Sequence, residues 1–203
     1  MFDLGQRQAI AEILIALISR LLFTPLSWLV PRNPRRIVVI GREGGKFLDN
    51  AKYFFCWLEK NRPDDCLPII VTEHRNVCHD LRNAGVHAYH SPLIGACWAL
   101  LRAGLIVFDD ADAMTHGRLG MMDGARLVQI WHGAPLKEIE MPLHQRRLSR
   151  LARPKQVLLD LQTTIIGRFQ RTTFLVSTSR YFTEHASGPG LQCRHHHRER
   201  VPA

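Results

Sequence analysis

The sequence is poor in the features that would make its chemistry obvious. It has five cysteines (Cys56, Cys66, Cys78, Cys97 and Cys193), an odd number with no CxxC pair among them. That spacing excludes a disulfide framework and every common zinc signature, and it fits reduced thiols in a cytosolic compartment. Aromatic residues make up 8% of the chain and charged residues 22%, while hydrophobic residues reach 46%, so a packed core is expected and wholesale disorder is excluded. No internal repeat is present. The amino-terminal apolar run, Ala9 to Val30, is not clean: Glu12, Arg20 and Pro25 interrupt it. A charge near the middle of a membrane-spanning helix is expensive, which argues against a simple span. No small-residue cleavage site follows the run, only Pro31-Arg-Asn-Pro-Arg-Arg36, which argues against a secretory leader.

The excess of positive charge, +9 overall, is local. Residues 1–140 carry 16 Lys/Arg against 15 Asp/Glu, and residues 141–203 carry 11 against 3. A global nucleic-acid signature is therefore absent, and no nucleic-acid partner is expected. The carboxyl-terminal basicity keeps one rival reading open: a non-catalytic module binding a membrane or nucleic acid. It lacks the interleaved aromatics of a stacking surface.

What is present is a regular alternation of strands and helices. Arg36–Gly41, Leu67–Thr72, Val86–Tyr89, Gly104–Phe108 and Leu127–Trp131 read as short buried strands. Between them, Phe47–Lys60, His74–Ala84 and Leu93–Ala103 have helical periodicity. This is the pattern of βαβ units, so the expected fold class is α/β with a Rossmann-like parallel sheet, preceded by an apolar helix. Ligands of such sheets gather at the carboxyl ends of the strands. Beyond these units, Leu143–Arg153 reads as a basic helix and Thr173–Ser177 as a further strand. For the amino-terminal segment two readings stand. One is a helix lying on a cytoplasmic membrane face, with Trp28 and the arginines beside it. The other is a helix packed on its own domain or on a partner subunit.

Three segments could carry chemistry. The Gly41-Arg-Glu-Gly-Gly45 turn meets neither GxGxxG nor GxxxxGK[ST] spacing; it reads as a strand-to-helix turn near substrate or as a tight turn needing positive φ. Asp109-Asp-Ala-Asp112 reads as a solvated loop with an aspartate capping the next helix, and no metal site is expected. The most informative segment is Gln129-Ile-Trp-His-Gly-Ala-Pro-Leu-Lys137. A histidine at a strand end followed by glycine exposes an imidazole suited to take a proton near neutral pH. Lys137 adds charge for phosphate oxygens, and Pro135 prepares a helix start whose amides favour anions. Base, cation and helix start together suit phosphoryl transfer to an alcohol.

The Trp-His-Gly-x-Pro-Leu-Lys block resembles the hallmark of the CDP-glycerol glycerophosphotransferases, the primases and polymerases of teichoic-acid-type polymers. Phe47-Leu-Asp-Asn-Ala-Lys-Tyr53, Ala103–Phe108 and Phe174–Ser179 also resemble segments of that family. The resemblance implies the first domain of a two-domain, GT-B-like transferase at the cytoplasmic face of the cell membrane. It implies transfer of glycerol phosphate, or a related polyol phosphate, from a CDP-activated donor to a lipid-linked acceptor, without a cofactor. His132 is then the candidate base, and Gly41, Asn50, Gly133, Lys137 and Ser179 the candidate substrate contacts. A nucleotide-sugar glycosyltransferase of similar architecture is the other enzymatic reading. The expected organisation is a membrane-peripheral helix and linker (1–35), an acceptor-side domain (36–172), the start of a truncated second domain (173–187) and a tail (188–203). That tail, rich in His and Arg, is expected to be disordered or translated out of frame, leaving transfer impaired.

Overall fold

The computed structural model describes residues 4–61, 66–130, 149–150, 153–166 and 172–176. Helix α1 (Leu4–Leu29) leads into strand β1 (Asn33–Ile40). An irregular turn, α2 (Arg42–Gly45), and helix α3 (Asp49–Asn61) connect it to β2 (Leu67–Thr72). There follow α4 (Arg75–Asn83), β3 (Ala88–His90), α5 (Ile94–Arg102) and β4 (Ala103–Phe108). A 3-10 turn (Ala111–Met114), a short α6 (Leu119–Met122), β5 (Arg126–Gln129), α7 (Arg153–Ile166) and β6 (Phe174–Leu175) complete it.

The strands form one six-stranded sheet in the order β3-β2-β1-β4-β5-β6. Every pairing is parallel. Alternation along the central strands divides the core in two, because successive side chains of a strand point to opposite faces. Val38, Ile40, Ile69, Val71, Ile106 and Phe108 face one layer with Leu100, Met121 and Met122, joined by Phe23 and Val30 at the end of α1. Ile37, Val39, Ile70 and Val107 face the other, covered by Ala51, Phe55, Leu58 and Cys78 of α3 and α4. Both faces are dry, so the strands read as continuous apolar runs, as a parallel sheet requires.

Several boundaries differ from the sequence expectation. Residues 33–35, expected as linker, already belong to β1: Asn33 is in register with Ala103 of β4, with a shift before Ile37. Proline is tolerated there because it lies at the strand start. Ser149 and Arg150, expected in a basic helix, form a turn, and the described helix begins at Arg153 with Pro154 in its first turn. The rest of the expected Leu143–Arg153 helix lies largely outside the described residues. Strand β6, expected from Thr173 and assigned by the resemblance to the opening of a second domain, hydrogen-bonds in parallel to β5 of the same sheet.

Helix α1 is seated on the domain by small residues. Ala16, Ser19 and Ser27 are buried. The Ser19 hydroxyl donates to the Gly117 carbonyl. A Cβ on Gly120 would lie 3.0 Å from the Ser19 carbonyl oxygen, so glycine eases this close approach. Trp28 Nε1 donates to Asp123 Oδ2 at 3.3 Å. The opposite side of α1 is broad, apolar and exposed, with Leu14, Ile18, Leu21, Leu22 and Leu29 all open to solvent. Ile10–Leu29 is also long and apolar enough to cross a membrane, a test that core helices and leaders pass as well. Among the described residues, α1 thus packs on the domain through Ala16, Ser19, Phe23 and Ser27 and leaves a wide apolar face exposed.

Candidate active site at the carboxyl edge of the sheet

In this strand order the chain direction across the sheet reverses between β1 and β4, and their carboxyl ends open the crevice where such folds bind ligands. Gly41 ends β1 at that point. A Cβ there would lie 1.9 Å from the Lys46 carbonyl oxygen, so the loop folds back over position 41 in a way only glycine permits. The loop carries three consecutive positive φ angles, at Glu43 (50°), Gly44 (79°) and Gly45 (93°), which confirms the tight-turn reading of this segment. Lys46 N–H closes it onto the Arg42 carbonyl at 3.0 Å. Arg42 also reaches forward to Asp49, 3.0 Å away, at the first turn of α3.

Asn50, the second residue of α3, is exposed and its amide nitrogen lies 3.5 Å from the carbonyl of Ile130, the residue that follows β5. It therefore stands beside the chain that continues directly into Trp131. Gly41 and Asn50 both lie at the carboxyl edge of the sheet. His132, Gly133, Lys137 and Ser179 lie outside the described residues.

Asp109, at the carboxyl end of β4, corrects the expectation of a solvated loop: it is fully buried. The capping half of that expectation holds at the next residue, where the Asp110 carboxylate accepts from Asp112 N–H at 3.2 Å. Among the described residues no group of three or more His, Cys, Asp or Glu side chains is arranged to hold a metal ion.

The sequence reading missed the cluster that joins these loops. Glu73, just beyond β2, pairs with His116 Nδ1 at 2.8 Å and Arg118 Nη1 at 2.9 Å. Its backbone N–H donates to Gly44 O at 2.7 Å, and its carbonyl meets His90 Nε2 at 3.0 Å. Its neighbour His74 approaches Glu43 O through Nε2 at 2.8 Å. Burial pushes the Glu73 carboxyl up, but the His116 hydrogen bond and the charges of Arg118, His116 and His74 outweigh it and hold it below its ordinary value. The hydrogen bond to Glu73 raises the His116 pKa against burial and against Arg118. Arg118 is buried, and that desolvation lowers its pKa although Glu73 and Asp112 oppose the shift. Nothing local marked Glu73 or Arg118; His116 carried a weak signal, since a non-glycine residue followed by glycine fits its positive φ of 55°.

A model of the family described as CDP-glycerol:poly(glycerophosphate) glycerophosphotransferase matches residues 22–198. The chain belongs to this family. The matched span starts inside α1 and takes in all six described strands. Among solved structures, a variant of the wall teichoic acid polymerase TagF superposes with a TM-score of 0.55 at 18% identity, covering 93% of this chain and 44% of that one. The same variant soaked with CDPG gives 0.54 at 18% identity, covering 91% and 45%. TagF without that change gives 0.52, covering 91% and 44%. At this identity the likeness establishes the fold, and this glycerophosphotransferase family member spans less than half the length of those polymerases. No curated protein matches the chain by sequence.

Proposed function

We propose that this chain forms the acceptor-side part of a transferase that moves glycerol phosphate, or a related polyol phosphate, from a CDP-activated donor to a lipid-linked acceptor. The observation that carries the reading is positional. The Trp131–Lys137 block continues directly from Ile130, at the edge where Gly41, Asn50 and Asp109 converge. Family membership supports the donor class.

In this scheme an acceptor hydroxyl attacks the β-phosphorus of the donor in line, and the bond from that phosphorus to the CMP oxygen breaks. His132 takes the hydroxyl proton, and Lys137 offsets charge on the phosphate oxygens. Gly41, Asn50, Gly133 and Ser179 are the proposed substrate contacts. Residues 36–172, with β6 as edge strand, form the acceptor-side unit of a GT-B-like pair, and the donor is held by a second unit that begins near 173–187. The exposed face of α1 rests on the cytoplasmic surface of the membrane, next to the lipid-linked acceptor.

The test is CMP release from CDP-glycerol with acceptor-bearing vesicles. Changing His132→Ala is expected to lower the rate about 10²–10⁴-fold, with thermal unfolding unchanged. Retention of parental activity in that variant refutes the role of His132.

A further inference from the structure

The loops of the carboxyl edge come from four different strands, and one residue touches all of them. Glu73 follows β2; its N–H holds Gly44 of the loop after β1, its carbonyl receives His90 at the end of β3, and its carboxylate receives His116 and Arg118 from the segment after β4. The contact with the glycine loop is close: a Cβ on Gly44 would lie 2.8 Å from Glu73 Oε2. Arg118 is anchored independently, since its Nη2 donates to the Asp112 carbonyl at 3.0 Å within its own segment. Glu73 therefore joins a fixed arginine, through its carboxylate, to the glycine loop, through its backbone N–H, and the loop is tied further by His74 Nε2 at Glu43 O and by Arg42 at Asp49.

We infer that Glu73 is a positioning residue: it sets the geometry of the glycine loop 41–46, and through it the position of Gly41, a proposed substrate contact. The inference about substrate rests on the proposed transfer, while the loop geometry does not. Main-chain closure of the loop includes the Lys46–Arg42 and Leu48–Lys46 contacts and the Glu73–Gly44 bond. Glycine adopts positive φ readily, so of the three positive angles only that at Glu43 is costly and calls for a restraint. The surrounding charges support the same role. His116 is faced by Glu73, by Arg118 and by Glu12 of α1, and Glu73 by Arg118, His116 and His74. Glu43 and Lys46 are paired with each other across the loop.

Two variants of the full chain test this: Glu73→Gln, which keeps shape and loses charge, and Arg118→Gln, which leaves the carboxylate without its fixed partner. Backbone hydrogen exchange reads the loop, and imidazole NMR reads His116. In both variants the Lys46 amide should exchange about tenfold faster, while the amides of Val39 and Val107 in the central strands stay unchanged. The His116 pKa should fall in Glu73→Gln, because its hydrogen bond to the carboxylate is what raises it. Unchanged Lys46 exchange overturns the inference. An equal rise in the central strands also overturns it, because the effect is then general unfolding.

Discussion

The two ends of the same sheet are each fastened by an arginine, and they are fastened differently. At the amino end, Arg32 donates to Leu100 O at 2.6 Å and Met121 O at 3.0 Å, and also to the Asp123 carbonyl. These are the carboxyl termini of α5 and α6, whose free carbonyls carry the negative end of the helix dipole. At the carboxyl end, Arg118 pairs instead with a carboxylate that a histidine shares. The amino end is thus held by groups that do not titrate near neutrality. The carboxyl end is held in part by His116, which does. Rigid backbone-to-cation fastening suits a part that only has to stay folded, and titratable side-chain fastening suits the edge where substrate chemistry takes place.

The largest effect should come from breaking the carboxyl-end pair. Removing Arg118 (Arg118→Ala) leaves Glu73 half-buried beside a cavity, and is expected to cost about 3 kcal/mol in denaturant unfolding. That is the low end for a buried pair, because the Glu73 side chain is 30% exposed. Arg32→Ala should cost about 2 kcal/mol, and the loss should be the same at pH 5.5 and pH 8.5. A clear pH dependence there would erase the contrast between the two ends.

A third measurement follows stability against pH. The His116 pKa is raised in the folded state, so its contribution is complete below the unfolded value of about 6.5 and is lost as pH rises through the folded value. The Glu73 pKa is lowered, so its contribution is complete above about 4.3 and is lost as pH falls through the folded value. The carboxyl end should therefore be tightest between about pH 4.3 and 6.5. Changing His116→Gln should remove the alkaline slope and about 1 kcal/mol of stability at pH 6. The smallest effect on folding should come from α1. Changing Leu21→Asn on its exposed face should alter unfolding by about 0.5 kcal/mol or less, yet weaken sedimentation with anionic vesicles. Unchanged vesicle binding would argue that this face meets something other than lipid.

The α/β alternation was legible because both-face burial makes each strand a short apolar run, and Leu67–Thr72 matched its strand residue for residue. Strand ends were less legible: β1 starts three residues early because pairing with Ala103 overrides the local signal of Pro34. Helix α7 was missed, as its apolar residues, including Val157 and Leu161, are partly exposed and give no clear stripe. Of the candidate site, the Gly41 turn was legible as a strand end because a glycine closing a buried apolar run marks a turn, whereas the closeness of Asn50 to Ile130 depends on how α3 packs against the sheet.

By itself the sequence determined the fold class, the apolar helix and the Trp131–Lys137 block that led to the family. These are local matters of periodicity and motif, written in residues close together in the chain. Only the tertiary structure decided that Asp109 is buried and that β6 closes the edge of the same sheet. It alone brought Glu73, His116 and Arg118 to one point, 43 residues separating Glu73 from His116. Contacts of that span depend on how strands stack across a sheet, and no pattern along a single strand or helix encodes them.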